Sequence, residues 1–92
     1  MGIEFDKVKD AENRGRHGVS LALADELDWD RALVWLDQRF GYDEARVIAL
    51  APHGAKLYYV AFVERGDVQR IISVRRATRK EAKFYVQNIQ AF

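Results

Sequence analysis

The chain has 92 residues, of which 49% are hydrophobic and 32% charged, and its net charge is +1. This length and composition indicate one small globular domain, residues 1–92, and exclude a disordered tail. There is no cysteine, and the only histidines are His17 and His53. These counts exclude a disulfide framework, an iron–sulfur cluster and a thiolate zinc site, and two histidines are too few for a histidine metal site of their own. We therefore expect neither a metal nor another cofactor.

The sequence offers no membrane or export signal. Its longest apolar run, residues 57–63, is too short to span a membrane. Residues 1–6 are acidic and lack the apolar core of a signal peptide. Together with the lack of cysteine, this predicts a cytoplasmic protein.

The two halves of the chain differ in charge. Residues 1–46 hold 11 Asp and Glu against 7 Lys and Arg, whereas residues 47–92 hold 3 against 8. Positive charge gathered in one segment suggests an anionic partner. A solvated helix face with polar sheet edges would have the same composition, so charge alone does not decide between them.

Two helices are predicted at the start of the chain. The first should begin at Asp6, a favourable N-cap residue, and end near residues 15–18, where glycines occur. The second should run from Ser20 to about Leu27. Its apolar residues recur at helical spacing, namely Leu21, Ala24 and Leu27.

Four strands should follow, and their short connections favour an antiparallel meander. The alternation of residue types predicts strands over residues 31–41, 46–51, 56–65 and 68–76, of which 56–65 gives the strongest signal. A turn is expected at residues 51–54, around the only proline, and a hairpin turn at residues 65–67.

A last helix is predicted after Thr78, because Thr78 and Glu81 have the spacing of a capping box. The fold class is therefore α+β, with two N-terminal helices, a four-stranded antiparallel sheet and a C-terminal helix. We expect the helices to cover one face of the sheet and leave the other face partly polar and open. Simple alternation along the fourth strand places Ile72 and Val74 in the core, and Ile71, Ser73 and Arg75 on the open face, unless a bulge intervenes.

The first helix carries one stripe of polar residues. Lys9, Asn13 and His17 are spaced by four, so they share one side of a helix. A histidine at the helix exit can act as an acid or base near neutral pH. It can equally interact with the exposed carbonyls at the helix end.

A set of arginines forms the second constellation. The set comprises Arg46, Arg70, Arg75, Arg76 and Arg79. Arginine presents a planar, permanently charged fork that suits phosphate oxygens, and Arg79 would also lie at a helix N-terminus, which favours anions. A solvated sheet face tolerates arginine as well, so a structural role is about equally possible.

Glu81 and Tyr85 also have two interpretations. As the third residue of the last helix, Glu81 should bond the backbone of Thr78, but it could also serve as a base or position an arginine. Tyr85 lies one turn later and is more often a packing residue than a catalytic one. An aromatic residue on the open face could stack an RNA base, but the sequence singles none out. No phosphate-binding glycine loop, HExxH motif or dinucleotide fingerprint is present.

Taken together, these residues resemble the BrnT family of bacterial type II toxins. The N-terminal motif of that family has an aromatic–Asp pair, a Lys, an Asn and a basic–His–Gly–Val run, matched here by Phe5-Asp6, Lys9, Asn13 and Arg16-His17-Gly18-Val19. A Glu-x-Arg motif opens a strand and is matched by Glu44 and Arg46. The C-terminal motif is matched by Arg70-Ile71-Ile72-Ser73-Val74-Arg75-Arg76-Ala77, then Glu81 and Tyr85. The resemblance extends over residues 3–86.

The resemblance implies a RelE-like fold and a single ribonuclease toxin domain that inhibits translation. It also implies neutralisation by a ribbon-helix-helix antitoxin of the BrnA type. RNA would then be the substrate, and DNA would be contacted only indirectly, through the antitoxin complex.

Metal-independent cleavage by the ribose 2′-OH needs a base, an acid and cations around the phosphorane. On this hypothesis Arg75 and Arg46 stabilise charge with help from Lys9. His17 or Glu81 transfers protons, with Tyr85 a lesser candidate. The RNA-binding residues would be Arg70, Ser73, Arg76, Arg79 and Lys83. The alternative is a non-catalytic basic module that binds an antitoxin or nucleic acid without cutting it.

Overall fold

The computed structural model describes residues 2–37 and 44–89. Within these ranges the chain forms five strands, two α-helices and two short 3-10 helices. In chain order the elements are β1 (Gly2–Glu4), α1 (Lys7–His17), 3-10 helices at Leu21–Glu26 and Trp29–Arg31, β2 (Leu33–Asp37), β3 (Arg46–His53), β4 (Lys56–Arg65), β5 (Val68–Arg76) and α2 (Arg79–Asn88). The α+β class is confirmed, and the differences from the prediction lie in single elements.

The sheet has five strands rather than the predicted four. Its order is β1-β5-β4-β3-β2, and β2 to β5 form the expected antiparallel meander. The additional strand, β1, pairs in parallel with the first three residues of β5, from Gly2 opposite Val68 to Glu4 opposite Arg70. A strand of three residues is too short to show an alternation pattern, and its pairing depends on residues more than sixty positions away.

Helix α1 has the predicted boundaries. The Asp6 side chain accepts a hydrogen bond from the Val8 amide at 3.2 Å, which satisfies one free donor of the first turn. At the other end Gly18 has a φ of 74°, in the left-handed region that glycine tolerates, and its amide donates to the Arg14 carbonyl. The chain therefore reverses directly after His17.

The second predicted helix is a 3-10 helix. It begins after Ser20, whose side chain accepts from the Ala22 amide, and it ends at Glu26. Leu21, Ala24 and Leu27 are all buried. Their strict spacing of three places them on one side of a helix with three residues per turn, which is the 3-10 geometry, whereas an α-helix would spread them apart.

Two strand boundaries were wrong. β2 begins at Leu33 because Trp29–Arg31 form a 3-10 helix, and the predicted end at Gly41 lies outside the described residues. β3 extends to His53, so the turn lies at Gly54 and Ala55 rather than around Pro52. Pro52 fits within the strand, and its carbonyl accepts a hydrogen bond from the Asp28 amide at 2.9 Å.

A bulge in β5 changes which residues face the core. Phe62 pairs with Ile71 and Ala61 with Ser73, so Ile72 is the additional residue. Ile71 and Val74 are both in the hydrophobic core. The prediction that Ile72 lies in the core and Ile71 on the open face was therefore wrong, whereas Ser73 and Arg75 do face away from the core.

The hydrophobic core lies on one side of the sheet, here called the core face. It consists of side chains from β3, β4 and β5 with Leu21, Ala24 and Leu27. Trp29 packs edge-on against Phe62, with ring centroids 5.5 Å apart, and donates its indole N–H to the Ala24 carbonyl. The two 3-10 helices therefore cover the core face, while α1 lies against β5 and the first 3-10 helix.

Helix α2 crosses the opposite side of the sheet, here called the second face. Trp35 pairs with Ile48, so it faces away from the core residue Val47, and its ring lies 5.7 Å from that of Phe84 on α2. The expectation that all helices cover one face was therefore wrong. No residue of α2 within Arg79–Asn88 is buried, so α2 covers the second face only in part.

No helix in residues 2–37 and 44–89 has the length and apolar character needed to cross a membrane.

Candidate active site

Arg75 lies on the second face and is held by two neighbouring side chains. It pairs with Tyr59 in the β4–β5 ladder, and its guanidinium carbon lies 3.9 Å from the centre of the Tyr59 ring. The two terminal nitrogens each donate to one carboxylate oxygen of Glu81 at 2.8 Å. About a quarter of each of these two charged side chains is exposed, at 27% for Arg75 and 24% for Glu81. The carboxylate thus fixes the direction of the guanidinium within its own plane, and the aromatic ring supports one face of that plane.

Glu81 holds this position because it belongs to the capping box of α2. Its carboxylate accepts from the Thr78 amide at 2.9 Å, while the Thr78 hydroxyl accepts from the Glu81 amide. The predicted capping box is confirmed. The hydrogen bond from Arg75 lowers the pKa of Glu81 more than burial raises it, and the Thr78 amide lowers it further. Glu81 is therefore ionised at neutral pH and is a weak base there.

His17 ends the helix that packs against β5, the strand that carries Arg75. It is the last residue of α1 and is half-buried. Burial lowers the pKa of His17 below its ordinary value, and the positive charges of Arg16 and Arg75 lower it further. The lowered pKa favours the neutral imidazole at pH 7, the form in which one ring nitrogen is an acceptor.

Asn13 connects the helix that carries His17 to the strand that carries Arg75. Its side-chain amide donates to the Val19 carbonyl at 2.9 Å and to the Val74 carbonyl at 2.8 Å, and its oxygen accepts from the Val74 amide at 3.3 Å. The Ser73 hydroxyl lies 3.5 Å from the same oxygen. Ser73, predicted to bind RNA, therefore lies beside Asn13. The buried Asn13 lies between the end of α1, which carries His17, and β5, which carries Arg75.

The stripe predicted on α1 therefore separates by environment. Asn13 is buried against β5, His17 is half-buried, and Lys9 is exposed two helical turns before His17. Tyr85 lies on α2, one turn after Glu81, and its hydroxyl donates to the Arg31 carbonyl at 2.7 Å.

Arg46 and Arg70 lie at the other end of the sheet. Arg75 pairs with Tyr59, and Tyr59 with Leu50, which is four residues along β3 from Arg46. Four residues of a strand span about 13 Å, so Arg46 and Arg75 do not share one phosphate-sized cleft. Arg70 pairs with Val63 and forms an ion pair with Glu4 at 3.6 Å. The structure does not bring these two arginines to the site.

The remaining predicted cations are Arg76, at the end of β5, and Arg79 and Lys83, at the start of α2. Arg76 is exposed, with its guanidinium carbon 5.9 Å from the Tyr58 ring centre. Arg79 and Lys83 are exposed and line an open groove of about 490 Å³ on α2 with Ala82, Val86 and Gln87. Arg76 pairs with the core residue Tyr58, so it faces the opposite side of the sheet from Arg75, and only Arg79 and Lys83 share one surface.

Sequence reasoning did not identify Tyr59. The predicted hairpin, with Arg65 and Val68 flanking a two-residue turn, would place Arg75 opposite Tyr58 if the ladder were regular. The bulge at Ile72 moves the pairing by one residue, to Tyr59. Among the described residues no three His, Asp or Glu side chains gather into a metal-binding group.

The fold and site define a small α+β protein with an imidazole at the end of α1 and a clamped guanidinium on β5, the strand against which α1 packs. The chain belongs to the BrnT family: a family model described as the ribonuclease toxin BrnT of a type II toxin–antitoxin system matches residues 5–81. The matched range includes His17, Arg75 and Glu81, and it ends in the first turn of α2. Membership in this family implies an RNA substrate and an antitoxin partner. A search of the curated proteins finds no match to the chain.

Proposed function

We propose that this protein is an endoribonuclease that cleaves RNA by attack of the ribose 2′-OH on the adjacent phosphate, without a metal ion. The observation that carries the proposal is the guanidinium of Arg75, held by Tyr59 and Glu81 on the strand against which the helix of His17 packs. The reaction needs a base for the 2′-OH, an acid for the leaving 5′-oxygen and a cation for the phosphorane, and His17 and Arg75 would supply the base and the cation.

In this mechanism His17 is the base. Its free ring nitrogen takes the proton of the 2′-OH, the 2′-oxygen forms a bond to phosphorus, and the bond from phosphorus to the 5′-oxygen breaks. The 5′-oxygen leaves with a proton supplied by the imidazolium or by solvent, and the other product ends in a 2′,3′-cyclic phosphate. A lowered His17 pKa supports this role because the base must be unprotonated at neutral pH.

Arg75 stabilises the charge that develops on the phosphorane. Tyr59 and Glu81 restrict its side chain before substrate binds, so little reorganisation is needed in the transition state. Glu81 therefore orients Arg75 rather than abstracting the proton, because its lowered pKa makes it a poor base. Tyr85 would have to release the Arg31 carbonyl before it could donate a proton to RNA.

The RNA backbone would run from the site along α2, where Arg79 and Lys83 are exposed one turn apart and could contact phosphates. Arg76 faces the other side of the sheet and would contact RNA only around the sheet's end. Ser73 and Lys9 would flank the scissile nucleotide from β5 and α1. Arg46 and Arg70 would contact only RNA that crosses the whole second face.

In the cell we propose that cleavage inhibits translation in the cytoplasm and that a ribbon-helix-helix antitoxin neutralises the protein. The type II toxin family supports an antitoxin in general. Contact with DNA would then occur only through the antitoxin complex.

The proposal is tested with purified protein and a defined RNA in the presence of EDTA. The wild type should cleave and leave a 2′,3′-cyclic phosphate, and His17→Ala should lose most of the rate. His53→Ala is the matched control, because His53 is exposed at the end of β3 and its ring lies 3.2 Å from the Glu26 carbonyl, away from Arg75.

Two results would overturn the assignment. Wild-type protein that cleaves only after a divalent metal is added would refute the metal-independent mechanism, and full activity of His17→Ala would refute the base. If the wild type binds RNA without cutting it, and its expression leaves bacterial growth unaffected, the non-catalytic binding module is the correct interpretation.

A further inference from the structure

We propose that Asn13 is a positioning residue that sets the distance between His17 and Arg75. The inference rests on the proposed function, since it concerns the geometry of the same site. Asn13 would not touch the RNA. It would act through the two backbone segments that carry the base and the cation.

The hydrogen bonds of Asn13 reach both segments at once. On one side its amide group donates to the Val19 carbonyl, which closes the loop formed by the end of α1, His17 and Gly18. On the other side it both donates to and accepts from the backbone of Val74, the residue directly before Arg75. One side chain therefore joins the residue two positions after the base to the residue one position before the cation.

The bonds to Val74 imitate those of a neighbouring strand. β1 pairs only with residues 68–70 of β5, so the edge of β5 beyond the bulge faces α1 instead. Asn13 satisfies the amide and the carbonyl of Val74 at this edge, as a paired strand would. The side chain is only 6% exposed, so water cannot easily take over these bonds.

The carboxamide is needed because the position demands two donors and an acceptor. Its two N–H groups point to two carbonyls, and its oxygen receives the Val74 amide and lies near the Ser73 hydroxyl. Loss of this group leaves backbone polar groups of both segments without a partner, and α1 can then shift along β5. A displacement of about 1 Å at a catalytic pair is enough to reduce the rate by ~10²-fold.

The experiment compares Asn13→Ala and Asn13→Gln with the wild type, well below the lowest melting temperature of the series. The Gln variant keeps the carboxamide but moves it by one methylene, so it provides a folded test if the Ala variant does not fold. We expect kcat to fall by ~10–100-fold in both variants, with little change in KM, because RNA binding depends on other side chains. In an NMR titration the pKa of His17 should rise towards its ordinary value, as the imidazole becomes more solvated and leaves Arg75.

Trp29→Phe is the matched control for stability. It removes a side-chain hydrogen bond to the Ala24 carbonyl on the core face and leaves α1 and β5 untouched. It should lower the melting temperature without changing kcat or the His17 titration. A folded Asn13 variant with wild-type kcat and wild-type titration would overturn the proposal, as would an equal loss of kcat in Trp29→Phe. If the wild type cleaves no RNA, the proposed function fails, but the titration still shows whether Asn13 positions His17.

Discussion

The two ends of the second face carry the same type of ion pair in different surroundings. At one end Arg75 and Glu81 are about three-quarters buried, joined by two bonds of 2.8 Å, and stacked on Tyr59. At the other end Arg65 and Glu44 are also bonded, at 2.7 Å, but each is half exposed. Among the described histidines, His17 is the one whose pKa the charge of Arg75 lowers.

The difference shows how the surroundings decide how firmly a guanidinium is held. Water and salt screen an exposed ion pair, and its side chains keep alternative rotamers. Such a pair therefore does not hold its arginine in one orientation. A guanidinium held by a ring, a carboxylate and a nearby strand keeps one orientation, which is what charge stabilisation requires. The following predictions compare the two ends.

The largest contrast should be in cleavage rate. Arg75→Ala should reduce kcat by ~10²–10³-fold, the loss typical of one charge-stabilising donor. Arg65→Ala, at the other end, should cleave like the wild type. Single-turnover cleavage of a defined RNA measures both, and equal losses would show that the two ends do not differ in function.

The pH dependence should identify His17. Because burial and the neighbouring arginines lower the pKa of His17, kcat/KM should stay level down to below pH ~6.5 and then fall about tenfold per unit as the imidazole takes up a proton. A pH–rate profile of the wild type and of His53→Ala should show the same acidic limb. A limb that begins well above this range would argue against His17 as the base.

The stacking of Arg75 on Tyr59 should contribute a smaller factor. Tyr59→Leu removes the aromatic face under the guanidinium and should slow cleavage by roughly 3–30-fold, the equivalent of a partly desolvated cation–π contact. Tyr59→Phe keeps that face and should retain most of the rate. If Phe were as slow as Leu, the hydroxyl rather than the ring would be the functional group.

Salt dependence should distinguish the cations near the site from the distant ones. On a short single-stranded RNA, Arg79→Ala and Lys83→Ala should each reduce the slope of log affinity against log salt by about 0.7. Arg70→Ala should leave the slope unchanged, because Arg70 is at the far end and paired with Glu4. A reduced slope for Arg70→Ala would mean that even short RNA crosses the whole face.

The smallest contrast concerns stability. Because Arg75 lowers the pKa of Glu81 in the folded protein, the unfolded chain binds more protons, so this pair stabilises the fold above the ordinary Glu pKa and ceases to do so as the pH falls through the lowered value. Glu81→Gln should therefore cost about 1–2 kcal/mol at pH 7 and almost nothing at the acidic end of that range. Glu44→Gln should leave thermal unfolding at pH 7 unchanged. Urea unfolding of both variants at several pH values compares their free energies of unfolding.

The sequence predicted the elements that local patterns determine. The bounds of β4 and β5, both caps of α1 and the capping box of α2 were all predicted from neighbouring residues. Features that depend on distant residues were missed. β1 exists only because Gly2–Glu4 meets β5, and the bulge at Ile72 results from packing both Ile71 and Val74 into the core.

The same limit applies to the site. His17, Arg75 and Glu81 were selected by residue type and spacing, but the pairing of Arg75 with Tyr59 follows from the bulge and could not be counted from the hairpin turn. Arg46 looked equivalent to Arg75 in the sequence because both lie in predicted strands. Only the register of the sheet separates them.

The bonds between Asn13 and Val74 join positions 61 residues apart in the chain. During synthesis, a chain whose β5 has not yet emerged from the ribosome therefore has His17 but not Arg75 in place. Incomplete translation products should be harmless to the messenger RNA from which they are made. Catalytic competence should require both β5, which carries Arg75, and α2, whose Glu81 holds it.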